Sequence, residues 1–250
     1  PLNLRPLMAG WNTLFHRTRE PAPADPARSD AWNRGRELVD GLGHCSACHS
    51  PRNALGAERG GMVYLKGGEA EGWHAPALAG APTGPIPWSE ASLFVYLRTG
   101  TAAHHGTASG PMAPVIAELR ALPDADIRAM ATYLASLSIP LPDAEETARA
   151  NAILASTASA AHPAASRAAR LYDGACAACH ETGRIAPLFN EGPALGLSAK
   201  LHGPSPANLL RTIIGGASHG SGQMPAFGDA LDDRQLADLV GYLRARFAPG

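Results

Sequence analysis

All four cysteines of this 250-residue chain lie in two copies of one pattern, Cys45-Ser46-Ala47-Cys48-His49 and Cys176-Ala177-Ala178-Cys179-His180. Cys-x-x-Cys-His is the attachment signature of a c-type haem. Its two thiols add across the porphyrin vinyl groups, and the His that follows is set beneath the iron, where an imidazole nitrogen can bind. A structural zinc site wants its two cysteine pairs about 15–20 residues apart. Here Cys48 and Cys176 are 128 apart. A dithiol redox site needs a βαβ setting, and no strand-rich segment precedes either motif. The residues therefore predict two covalently attached haem c groups. Cys45, Cys48, Cys176 and Cys179 are the anchors, and His49 and His180 the proximal iron ligands. Covalent haem attachment takes place on the outer side of the bacterial cytoplasmic membrane, so the expected location is the periplasm or that membrane's outer face.

The rest of the composition narrows the partners. With 21 basic against 22 acidic residues the net charge is −1, and no basic stripe exists to neutralise phosphates. Nucleic acid is excluded as a partner on that ground. The longest apolar runs, at 93–97 and 208–214, are far too short to span a bilayer, which leaves peripheral membrane association but no transmembrane segment. Gly and Pro together make about a fifth of the chain, so much of it is expected in ordered loops. The chain begins at Pro1 with neither Met nor an apolar leader, the expectation for a processed or cut product.

Around the two motifs the chain repeats itself. A short helical pattern precedes each, with Ser29 or Asp30 and Ser166 as N-caps. Pro-Ala-Leu follows each, at 76–78 and 193–195. Next comes an apolar helical stretch ending in Gly, at 93–100 and 209–216, and then a loop carrying one Met beside a Pro. Amphipathic helices close both units, at 124–137 and 232–247, with acidic residues in their first turns. The order helix, motif, Pro-x-Leu, helix, Met loop, helix occurs twice. It resembles the class I cytochrome c fold, which implies an all-α chain of two such domains in tandem. The expected division is an N-terminal arm at 1–30, a first domain at 31–137, an Ala- and Pro-rich linker at 138–165 and a second domain at 166–250. In that family the first and last helices cross at a small residue and an aromatic, here Gly35 with Tyr133 and Ala168 with Tyr242.

The sixth iron ligand has to come from the loops. Of five Met, Met130 reads as core, Met8 precedes the unit and Met62 follows His49 too closely. Met112 and Met224 occupy matched positions in Pro-flanked loops and are the expected axial ligands. His104, His105 and His219 in the same loops are the rivals. The family resemblance further implies that the carbonyls of Pro76 and Pro193 accept the Nδ1 hydrogens of the proximal histidines. Twenty-seven residues separate His49 from Pro76, against 13 between His180 and Pro193. That insertion carries Arg52, a haem-propionate partner or a solvated loop residue.

Segments 7–12, 30–35, 41–56 and 71–76, with Gly110-Pro111-Met112 and the stretch 224–229, resemble the multihaem cytochrome c subunit of periplasmic, membrane-associated dehydrogenases. Those enzymes act on alcohols, aldehydes, sugar acids or N-heterocycles. The resemblance implies an electron-transfer subunit rather than an enzyme. It would carry electrons from a dehydrogenase catalytic subunit to a downstream quinone, cytochrome or oxidase acceptor. Family members usually carry three haems and this chain carries two; the third would lie before Pro1, which reads as either a fragment or a shortened relative. A free di-haem shuttle, a di-haem peroxidase and a haem sensor remain as alternatives.

Overall fold

The computed structural model describes residues 5–16, 22–139, 141–159, 166–181, 194–219 and 222–249. Helix α1 (Arg5–Phe15) leads, and Trp11 Nε1 donates to the Leu55 carbonyl at 2.9 Å. Ser29 then caps α2 (Asp30–Glu37) by accepting from the Trp32 amide, and the helix widens into a π turn over Leu38–Leu42. The first unit continues with α3 (Ser46–His49), the antiparallel hairpin β1 (Gly68–Ala70)–β2 (Trp73–Ala75) and α4 (Glu90–Thr99). A second hairpin, β3 (Thr101–Ala102)–β4 (Gly106–Thr107), leads to α5 (Met112–Leu119) and α6 (Asp124–Ala135). Helix α4 starts on Ser89 and stops at Gly100, whose left-handed φ of 84° few other residues tolerate.

Helices α2 and α6 cross at very short range. A Cβ on Gly35 would lie 1.9 Å from the Ala129 carbonyl oxygen and 2.8 Å from Tyr133 Cβ, so only glycine fits. The crossing is fastened by Arg34, whose Nε and Nη2 donate to the two Asp126 oxygens at 2.9 and 3.1 Å. Trp32 meets the Tyr133 ring edge-on at 5.1 Å. Beneath lies a core of Leu38, Val39, Leu65, Leu93, Leu97, Ile127, Met130 and Leu134. Each such buried aliphatic side chain contributes about 1.5–3 kcal/mol.

The second unit is built on the same plan. Ser166 caps α8 (Arg167–Ala175), which runs into α9 (Ala177–His180). Helices α10 (Ala199–His202) and α11 (Ala207–Gly215), the hairpin β5 (Ala217–His219)–β6 (Gly222–Met224) and α12 (Asp233–Phe247) complete it. A reciprocal capping box between Asp232 and Gln235 opens α12. Helix α8 lies on α12, and Ala168 and Tyr242 belong to one core with Tyr172, Leu209, Leu239 and Leu243.

Between the units runs α7 (Asp143–Ser159), which the Ala-rich sequence predicts as a helix with little apolar face. It is docked all the same. Ala150 is fully buried with Ile86 of the first unit and Leu197 of the second, with Ile153 and Leu154 packed alongside. The three short hairpins are not legible from periodicity, since each strand is too short to alternate. Among the described residues no helix is long and apolar enough to cross a membrane.

Candidate haem-binding sites

Local geometry delivers the first motif. The π turn ends at Gly43, and the Cys45 amide closes back on the Val39 carbonyl at 3.2 Å. Helix α3 then carries Cys48 and His49. The His49 Nδ1–H donates to the Pro76 carbonyl at 2.7 Å. Burial lowers the His49 pKa, and the Pro76 carbonyl acts against that shift without reversing it. The ring is therefore neutral, its Nδ1 hydrogen is engaged, and the Nε2 lone pair is the donor left for a metal. The next residue, Ser50, is fully buried and accepts the Leu65 amide at 2.8 Å, bracing the motif from behind.

The thiols suit the same group. All four are unbridged. Burial pushes Cys45 and Cys176 up to about 11, the opposite of the depressed values that a reactive dithiol needs. The two pairs also sit on two separate cores, Cys45 on the first and Cys176 on the second, so no zinc site can use both. The donor set fits a porphyrin held by two thioethers and one imidazole in each unit.

On each core the attachment cysteine shares its surface with one methionine. Met112, the first residue of α5, packs on the same core as Cys45; Met224, the last residue of β6, packs on the same core as Cys176. Met130 is core and Met62 is 90% exposed. The approach to Met112 is shaped by Trp73. Its indole lies where a Gly110 Cβ would be, 2.4–2.7 Å from three ring atoms, so glycine is required two residues before the methionine.

The rival histidines of the first unit are engaged elsewhere. His104 Nδ1 lies 3.0 Å from Glu146 Oε1 and His105 Nε2 3.5 Å from the same atom. His105 is stacked on Trp88 at 3.6 Å. Glu146 belongs to α7 and also accepts from Ser92 Oγ at 2.7 Å. Burial alone would raise its carboxyl. Hydrogen bonds from Ser92, Ser89 and His104 outweigh that and lower it. His105 is pushed down to about 4, chiefly by burial. Arg52 is engaged as well. It donates to the Ala47 carbonyl at 2.6 Å and the Gly56 carbonyl at 2.7 Å, fastening its loop onto the motif.

In the second unit Pro193 lies outside the described residues, as does the side chain of His219. What the structure adds there is an ion pair buried on its arginine side. Arg246 of α12, 4% exposed at its side chain, reaches Glu181 Oε1 at 2.6 Å, and Glu181 directly follows His180. The guanidinium also lies 4.6 Å above the Phe247 ring. From the sequence, Arg246 reads only as a cation in a final helical turn, and Glu146 as one of several acidic residues opening a linker helix.

Residues 33–138 match the cytochrome c family, and residues 163–243 match the family described as cytochrome C oxidase, cbb3-type, subunit III. A nicotinate dehydrogenase subunit of Pseudomonas putida is 49% identical over 252 residues, which cover 99% of this chain and 21% of that protein. The fructose dehydrogenase cytochrome subunit of Gluconobacter japonicus is 34% identical, over 99% of this chain and 55% of its own length. The gluconate 2-dehydrogenase cytochrome c subunit of Pantoea cypripedii is also 34% identical, over 100% of this chain and 60% of its own length. The chain thus spans about a fifth of the first relative and little more than half of the other two.

Proposed function

We propose that this chain, whose two halves match cytochrome c families and which carries two haem c groups, is an electron-carrying cytochrome subunit of a dehydrogenase, with the following route for its electrons. They enter from a dehydrogenase catalytic subunit and leave to a quinone, cytochrome or oxidase acceptor, in the periplasm or at the outer face of the cytoplasmic membrane. His49 with Met112, and His180 with Met224, would hold the two irons. Bound haem supplies reversible one-electron chemistry. The chain's residues hold its position and its electronic surroundings. Pro76 fixes the His49 tautomer and raises its basicity as a ligand. Methionine, a soft donor, favours the reduced state. The observation that carries this reading is the fate of the rival histidines. Glu146 holds His104 against α7 and His105 is stacked on Trp88, which leaves Met112 as the soft donor beside Cys45 on the first core.

Two measurements test the proposal. Reduced wild-type protein should bind no carbon monoxide, because protein ligands saturate both irons. Met112→Ala should open the first haem alone, and Met224→Ala the second alone. Stoichiometric binding by the unaltered protein would overturn the saturated-iron reading and favour the peroxidase or sensor alternatives. For the route, ethanol, acetaldehyde, gluconate or nicotinate should reduce the haems only when the co-purifying catalytic subunit is present. Rapid reduction by any of them without it removes the carrier assignment.

A further inference from the structure

Among the described residues, two hydrogen-bonding side chains reach from the second unit to the first, and both land on segments that frame the first haem site. Asn208, in the first turn of α11, forms a reciprocal pair with the His74 backbone. Its Oδ1 accepts the His74 amide at 2.9 Å, and its Nδ2 donates to the His74 carbonyl at 2.7 Å. His74 is the middle residue of β2, so a side-chain amide completes the outer edge of the hairpin as another strand would. Three residues farther on α11, the Arg211 guanidinium lies against Gly72 in the hairpin turn. The second contact is Lys200 of α10, whose Nζ donates to the Thr107 carbonyl at 2.6 Å.

The first unit turns these into grips on both axial sides. Strand β2 runs directly into Pro76, whose carbonyl holds His49, and its Trp73 lies on Gly110, two residues before Met112. Thr107 ends β4, five residues before Met112. Beside it a Cβ on Gly106 would come within 3.5 Å of Ser198, and one on Gly84 within 3.6 Å of Ala199. The proximal and distal segments of the first site are therefore each tied to the second unit by a hydrogen-bonded side chain.

We propose that Asn208 and Lys200 are positioning residues of the first haem site: the second unit clamps the β1–β2 hairpin and the Met112 loop, and so fixes both the axial frame of the first haem and the geometry between the two haems. This rests on the reading of His49 and Met112 as ligands, but the clamp itself is measurable without it. A self-sufficient loop would need no partner, whereas this one has a backbone carbonyl and a strand edge completed from 93 and 134 residues away.

The experiment compares the holoprotein with Asn208→Ala, Asn208→Asp, Lys200→Met and the Asn208→Ala/Lys200→Met double variant. Asn208→Asp keeps the acceptor for the His74 amide but sets a carboxylate against its carbonyl. Each loss should speed backbone hydrogen exchange about five- to tenfold, at 68–76 for Asn208 and at 106–112 for Lys200, with α12 unchanged. The double variant should also shift the midpoint potential of the first haem and weaken its methionine-to-iron charge-transfer band, while the second haem keeps both. Exchange that rises uniformly over the chain would mean a general loss of stability and overturn the proposal. So would unchanged exchange at both segments, an Asn208→Asp protein indistinguishable from wild type, or a first-haem potential unmoved in the double variant. A failure of the ligand assignment is seen separately, as carbon monoxide binding by the wild-type protein.

Discussion

The two units hold the same chemistry with different supports, most plainly at the residue after each proximal histidine. In the first unit that residue is Ser50, fully buried, a neutral hydroxyl receiving the Leu65 amide. In the second it is Glu181, ion-paired to Arg246 on the closing helix. Both devices lock the motif to a distant part of the same unit. The neutral one leaves little exposed to loss, since a hydrogen bond between uncharged groups is modest in net worth. The charged one is vulnerable to partial removal, because a half-buried carboxylate that loses its cation is costly. The methionines differ in the same spirit. Met112 opens a helix behind a hairpin that the second unit grips, whereas Met224 ends a strand within its own unit.

Breaking the supports should therefore have unequal effects. Arg246→Met is expected to destabilise the second unit by about 2–4 kcal/mol, since the half-buried Glu181 loses its cation while its remaining contacts persist. The matching change, Ser50→Ala, strands one buried amide and should cost about 1–3 kcal/mol. Thermal melts followed at each haem's own absorbance would separate the two; equal losses would mean that Glu181 relaxes into solvent.

The helix crossings give a smaller contrast. Gly35→Ala forces a methyl group into the Ala129 carbonyl and should cost about 1–3 kcal/mol. Ala168→Gly, at the equivalent crossing, loses only helix propensity and a little packing, about 1 kcal/mol. Denaturant midpoints for the two variants decide whether the α8–α12 crossing is as tight as that of α2 and α6.

The smallest effect concerns pH and lies in the first unit. The His105 pKa falls from 6.5 to about 4 on folding, so the unfolded chain binds more protons between those values and stability declines as pH drops through that window. The Glu146 carboxyl is held below its ordinary value, so its contribution is present above that value and is lost as pH falls through the lowered one. Both signs agree: acidification below about 6.5 should loosen α7 from the β3–β4 hairpin. Trp88 fluorescence, which the stacked His105 reports on, is the measurement. Glu146→Gln should remove the carboxylate's part of the response and, since that charge raises the His105 pKa, move the His105 part to lower pH.

Much of each site was legible because haem attachment is local. Five consecutive residues carry two cysteines and a histidine, and the Ser29 and Ser166 caps announce the helices that lead to them. That Met112 and Met224 hold matched places was visible through repetition, and each packs on the core of its own unit's cysteine. What periodicity could not reveal were contacts between distant positions: Glu146 with His104, Lys200 with Thr107, Asn208 with His74. These residues are polar and sit on short helices or linkers, so no apolar pattern marks them as packed. Arg52 is ambiguous for the same reason. A loop cation can meet a propionate or two backbone carbonyls, and only the folded loop presents the latter.

The π turn at Leu38–Leu42 carries one further consequence. A π turn is an α-helix holding one residue more than its winding needs. Upstream, Gly35 has to face α6; downstream, Cys45 has to face the porphyrin edge. The extra residue sets the angular phase between these two demands. Deleting exposed Gly41 would let the turn rewind as ordinary α-helix, swinging Cys45 by about 100° about the axis and drawing it back about 1.5 Å. Substitutions at that glycine should be mild, whereas its removal should misdirect the whole attachment segment.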